Sequence, residues 1–107
     1  MGFFRKADLP ATEMLPGITR RSAYLDDVMI TLVDLEAGSV LPEHHHPHQQ
    51  ITFVLSGSME FTLDGETRMM SAGEGALVPP NATHSAKVLD EPCQALDAWH
   101  PVRDDYR

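Results

Sequence analysis

The 107-residue sequence contains one cysteine, Cys93. A lone cysteine cannot close an internal disulfide, so a stapled secreted scaffold is excluded and a packed thiol on a strand is expected. Basic residues are scarce, with 8 Lys and Arg against 16 Asp and Glu and a formal net charge of −8. Nucleic acid and anionic membranes both want a basic surface, so neither is expected as a partner. A small anionic ligand stays possible, because a metal ion and one arginine can reverse the potential inside a cleft. No apolar run approaches a membrane span. The opening MGFFRKADLP has no apolar core of the signal-peptide kind, and the cytoplasm is the expected compartment. Helical periodicity is missing too: no window holds it over three turns. Linkers, repeats and low-complexity tracts are likewise absent.

What is present is β-patterning. Turn signals recur at short intervals: Pro16-Gly17, Asp26-Asp27, Ala37-Gly38, Ser56-Gly57, Asp64-Gly65, Ala72-Gly73 and Pro79-Pro80-Asn81. Between them lie short runs such as VMITLVDL, ITFVL, MEFTL, GALVP, SAKVL and ALDAW. Evenly spaced short strands predict an all-β sandwich or barrel. Asp64-Gly65 is the strongest hairpin signal, because a two-residue type I′ turn needs positive φ at both positions. The length suits one domain spanning residues 1–107, with a core over about 28–100 and an N-terminal arm over 1–22. Within that arm, ATEML reads as one helical turn or as an edge arm.

The chemistry concentrates in HHHPHQQ, residues 44–50, which holds four of the six histidines. On a strand, alternate residues share a face, so His44 and His46 point one way and His45 the other. Two imidazoles so placed can reach one metal ion. Gln50 follows after a bend at Pro47-His48 and can add its amide oxygen. His84, in THSAKVL, lies on another strand that a closed β fold can bring opposite. His45, His48 and His100 have no role that spacing assigns, although His48 could substitute as a ligand.

Glycines and prolines frame these residues at fixed intervals. Gly38, His44, His46, Gln50 and Gly57 resemble the first motif of the cupin superfamily, and Gly73, Pro79, Asn81 and His84 its second. That resemblance implies a small antiparallel jelly-roll β-barrel of six to ten strands, paired into a homodimer. Two positions depart from the pattern. Gln50 stands where the first motif has an acid, and Asn81 stands for a glycine, which it can mimic in the left-handed region. Three imidazoles and a neutral amide would leave a divalent charge uncompensated, giving a strong Lewis acid that attracts an anion. Zinc, nickel, iron, manganese and copper all suit such donors.

The block HHHPHQQITFVLSG also looks like the HxHPHEQITYVLSG block of the pectin-degradation cupins, which open the ring of 4,5-unsaturated monouronates. The FF and GITRR of the start and LDAWHPVRDDY of the tail are similar as well. The resemblance implies conversion of a small anionic sugar acid to its linear 5-keto-4-deoxyuronate. By position, one divalent transition-metal ion would be held by His44, His46, Gln50 and His84. Asp97, Trp99 and Arg103 would act in catalysis: Asp97 as acid and base, Trp99 by stacking on the ring, Arg103 by holding the carboxylate. Relatives tend to carry phenylalanine at Trp99, so the pocket wall would be bulkier here. A cupin-type dioxygenase and a non-catalytic ligand-binding cupin are the competing readings, because fold alone does not assign function.

Overall fold

The computed structural model describes residues 2–107. Ten strands run as β1 (Thr12–Leu15), β2 (Ile18–Tyr24), β3 (Met29–Leu35), β4 (Val40–His44), β5 (Gln49–Ser56), β6 (Ser58–Leu63), β7 (Glu66–Ser71), β8 (Gly75–Val78), β9 (His84–Lys87) and β10 (Cys93–His100). One 3-10 turn spans Lys6–Asp8 and another spans Asp104–Tyr106. All pairings are antiparallel, in a six-stranded sheet ordered β1-β2-β3-β10-β5-β8 and a four-stranded sheet ordered β4-β9-β6-β7. This is the all-β architecture that the short, regularly punctuated runs predict, and the two antiparallel sheets are those of the jelly roll that the motif resemblance implies. Of the two readings of ATEML the edge arm is the one found and the helical turn is not, since Thr12–Leu15 forms the edge strand β1 against β2.

Alternation decides which side chains meet. Along β3, Met29, Thr31, Val33 and Leu35 are buried while the residues between them are not. Along β5, Gln50, Thr52 and Val54 point inward, and along β10 so do Cys93, Ala95 and Trp99. The inner faces of the two sheets close on one core that includes Val54, Phe61, Val88, Cys93 and Ile18. Each such side chain contributes about 1.5–3 kcal/mol by leaving water. Cys93 is a free, buried thiol, packed on a strand as its isolation in the sequence suggests.

The turns have the backbone their residues permit. Asp64 and Gly65 link β6 to β7 with φ of 48° and 83°, the pair of positive values that a type I′ hairpin turn demands. Asn81 sits at φ 66°, so the amide does replace glycine in the left-handed region. Gly57 has φ 72°, and a Cβ there would collide with the carbonyl oxygen of Pro92. No helix among the described residues is long and apolar enough to cross a membrane.

Candidate metal centre

Three histidines converge at one end of the fold. His44 ends β4 and is the register partner of His84, the first residue of β9, with ring centroids 4.1 Å apart. His46 comes from the β4–β5 connection, and its ring lies 4.9 Å from that of His84. Nitrogens of all three fall within 4.8 Å of one another, close enough to serve one ion. His45, one residue out of phase, is exposed, and His48 is not part of the cluster. Gln50 enters from the opposite sheet on β5, with its Oε1 2.9 Å from His46 Nε2.

The main chain fixes the imidazoles. His44 Nδ1 lies 2.8 Å from the Pro42 carbonyl, His84 Nδ1 lies 2.9 Å from that of Ala82, and His46 Nδ1 lies 3.2 Å from that of His48. A carbonyl only accepts, so in His44 and His84 the Nδ1 carries the hydrogen and the Nε2 keeps a lone pair, whereas His46 has an acceptor oxygen at both nitrogens and, when neutral, can donate to only one of them. Two consequences favour a cation. His84 Nε2 is buried without a hydrogen-bond partner. His46 Nε2 and Gln50 Oε1 converge at 2.9 Å, and with the His46 hydrogen on Nδ1 both atoms would offer lone pairs to a shared cation. Burial lowers the pKa of His46, and it lowers that of His84 to about 4, so both rings stay in the neutral, ligating form. The residues present therefore fit a divalent transition metal.

A polar chain runs from this cluster to Asp97. Gln50 Nε2 donates to Thr52 Oγ1 at 2.7 Å, and Thr52 Oγ1 donates to Asp97 Oδ1 at 2.6 Å. The register explains it: Asp97 on β10 lies directly opposite Thr52 on β5 and Thr31 on β3. Burial raises the Asp97 carboxyl to about 6, against the opposing pull of hydrogen bonds from Thr52, Gln50 and Thr31. Asp97 and Gln50 line a cavity of about 50 Å3 together with His44, Trp99, Tyr106 and apolar side chains such as Met59 and Phe61.

Trp99 is 5% exposed and donates its Nε1–H to Thr31 Oγ1 at 3.1 Å. Its ring meets His46 edge-on at 5.1 Å, and the Arg103 guanidinium sits 5.0 Å from its centroid. Trp99 thus forms a wall that joins the histidine cluster to Arg103, with little free face of its own. Arg103 lies beyond β10 at the start of the C-terminal 3-10 turn, covered by Trp99 and Tyr106. Thr52, Thr31, Tyr106 and Arg20 join the site without having been singled out in the sequence. Thr52 was accessible to strand alternation, two residues beyond Gln50, whereas no local pattern places Tyr106 or Arg20.

The chain belongs to the cupin family, since residues 31–99 match the family described as "Cupin domain". It is 30% identical over 106 residues to the pectin degradation protein KdgF of Dickeya dadantii, covering 97% of this chain and 96% of that protein. The solved structure of KdgF from a Halomonas species is 32% identical and superposes with a TM-score of 0.93, covering 100% of this chain and 99% of the other. An RmlC-like cupin from Shewanella frigidimarina reaches a TM-score of 0.94 at 22% identity, over 100% of this chain and 96% of that one, and speaks for the fold alone. The chain is a small cupin related along its length to pectin-degradation proteins.

Proposed function

We propose that this cupin opens the ring of a 4,5-unsaturated monouronate, giving the linear 5-keto-4-deoxyuronate. The observation that carries the reading is the link from Asp97 through Thr52 and Gln50 to the histidine cluster, within one small cavity. Full-length similarity to a pectin degradation protein supports a pectin-derived sugar acid as the substrate class. His44, His46, Gln50 and His84 would hold a divalent ion, which would supply Lewis acidity with a neutral donor set and so favour an anion in a chain of net charge −8.

The reaction adds one water across the alkene, a proton at C4 and hydroxyl at C5. The C5 hemiketal then collapses to a ketone, its ring oxygen leaving as a second hydroxyl on C1, and that aldehyde hydrate loses one water, so substrate and linear product are isomers. Asp97 delivers the proton, and its carboxylate takes one back from the attacking water, so the residue ends as it began. Thr52 orients the carboxyl by donating to Asp97 Oδ1 at 2.6 Å. Arg103 binds the substrate carboxylate and Trp99 walls the pocket. The apolar residues that line the cavity limit water around Asp97.

The chain also pairs into a homodimer in this reading. The outer face of the six-stranded sheet exposes Ile51, Phe53, Leu55 and Leu77, a contiguous kind of apolar surface that monomers rarely leave open. The deciding experiment is an anaerobic assay of metal-loaded protein with unsaturated galacturonate, following loss of alkene absorbance against the spontaneous rate. Turnover without oxygen supports ring opening. Consumption no faster than in buffer removes the enzymatic reading.

A further inference from the structure

Arg103 is held from three directions. Its guanidinium lies 5.0 Å from the Trp99 ring centroid and 4.0 Å from that of Tyr106. The third contact is Asp105, which accepts from Nε at 3.3 Å and from Nη2 at 2.8 Å. This is a side-on fork: both carboxylate oxygens engage the Nε–Nη2 edge, and the Nη1–Nη2 end is not used by it. The Arg103 side chain is 15% exposed while that of Asp105 is 60% exposed, so the arginine is the covered member of the pair and the acid the solvent-facing one.

Asp105 is itself tied to the barrel. Arg20, inward-facing on β2, donates from Nη2 to the Asp105 carbonyl at 3.2 Å and places its guanidinium 4.2 Å from the Tyr106 centroid. Residues 103–106 are thus fastened by a strand residue from the far end of the sequence. Burial would raise the Asp105 carboxyl, but the hydrogen bond and charge of Arg103 outweigh it and keep the group below its usual range.

We infer that Asp105 is a positioning residue for carboxylate recognition: with Arg20 holding its main chain, it locks the side edge of Arg103 and aims the free Nη1–Nη2 end at an anionic ligand in the barrel mouth. The inference rests on the reading of Arg103 as the carboxylate binder. It deepens that reading, because an arginine pre-set in rotamer and plane loses less entropy when it forms a bidentate pair. The opposite role is chemically available, in which Asp105 acts as an internal carboxylate competing with substrate for Arg103. Occupation of the side edge rather than the terminal edge favours positioning.

The two roles give opposite signs. With metal-loaded protein, Asp105→Ala is expected to raise KM for the unsaturated uronate roughly tenfold with kcat within about twofold, and Asp105→Asn to fall between it and wild type. A second readout needs no turnover: calorimetric binding of saturated galacturonate, with neutral galactose as control. Asp105→Ala should weaken galacturonate binding by a similar factor and leave any galactose binding unchanged. A lower KM, tighter galacturonate binding, or no change in either overturns the inference. If wild type fails to consume the unsaturated uronate but binds galacturonate in a manner lost in both Arg103→Ala and Asp105→Ala, the ring-opening reading falls and the positioning role stands. Galacturonate binding and turnover both indifferent to Arg103→Ala overturn the two together.

Discussion

Thr52 and Asp97, 45 positions apart in the sequence, face each other across β5 and β10, and the hydroxyl donates to the carboxylate at 2.6 Å. The same hydroxyl accepts from Gln50, so a single threonine connects the candidate metal centre to the candidate acid. Thr52→Val keeps the shape but strands two polar groups, Gln50 Nε2 and Asp97 Oδ1. It should cost about 1–3 kcal/mol in denaturant unfolding and lower turnover with the metal content unchanged. A variant as stable and active as wild type would show that the link is incidental.

Asp97→Asn separates catalysis from stability. Turnover should drop by about 10²–10⁴-fold while the metal is retained. The folded state raises the Asp97 carboxyl from 3.8 to about 6, so it favours the protonated form and loses stability as pH rises through that window. Above it the folded chain carries a buried charge that the amide does not. The melting midpoint of metal-free Asp97→Asn at pH 7 should therefore exceed that of wild type, and the gap should close by pH 4. A midpoint below wild type at pH 7 contradicts this.

Metal analysis of purified variants tests the donor set. His44→Ala and His84→Ala should lose stoichiometric metal, whereas His45→Ala, with its exposed side chain, should keep it. Gln50→Glu should hold the ion at least as tightly but bind galacturonate more weakly, because the added charge offsets the centre's attraction for an anion. Chelation should lower the melting midpoint of wild type, since the ion binds only the folded chain. Equal loss of metal in His45→Ala and His44→Ala would refute the assignment.

Gly57 gives a backbone test remote from the site. Alanine there must adopt φ 72° and clear the Pro92 carbonyl, so Gly57→Ala should destabilise by at least about 2 kcal/mol in urea unfolding. Free accommodation of the methyl group, seen as an unchanged midpoint, would argue against this turn geometry.

Sedimentation velocity addresses the outer sheet face. Wild type should sediment as a dimer, and Phe53→Glu with Leu77→Glu should shift it to monomer, because both side chains are exposed on the same face in adjacent strands. A monomeric wild type, or a dimer indifferent to both charges, would remove the homodimer.

Local patterns in the sequence determined the strand character, the Asp64-Gly65 hairpin and the inward set on each strand, because alternation and turn stereochemistry act over two to four residues. The resemblance of His44, His46, Gln50 and His84 to the two cupin motifs also pointed to one centre, although His46 lies in the β4–β5 connection rather than on a strand with His44, as alternation places it. What the tertiary structure alone decided is which strands lie side by side. β10 enters between β3 and β5, and that non-local pairing sets Asp97 against Thr52 and Thr31. It turns Trp99 into a buried wall and delivers the tail to Arg20 on β2. The orientation of each imidazole, set by the carbonyls of Pro42, His48 and Ala82, depends likewise on the folded course of the main chain. Residue type sets what each group can donate or accept, and only the closed barrel, by burying them together, sets which partner each one meets.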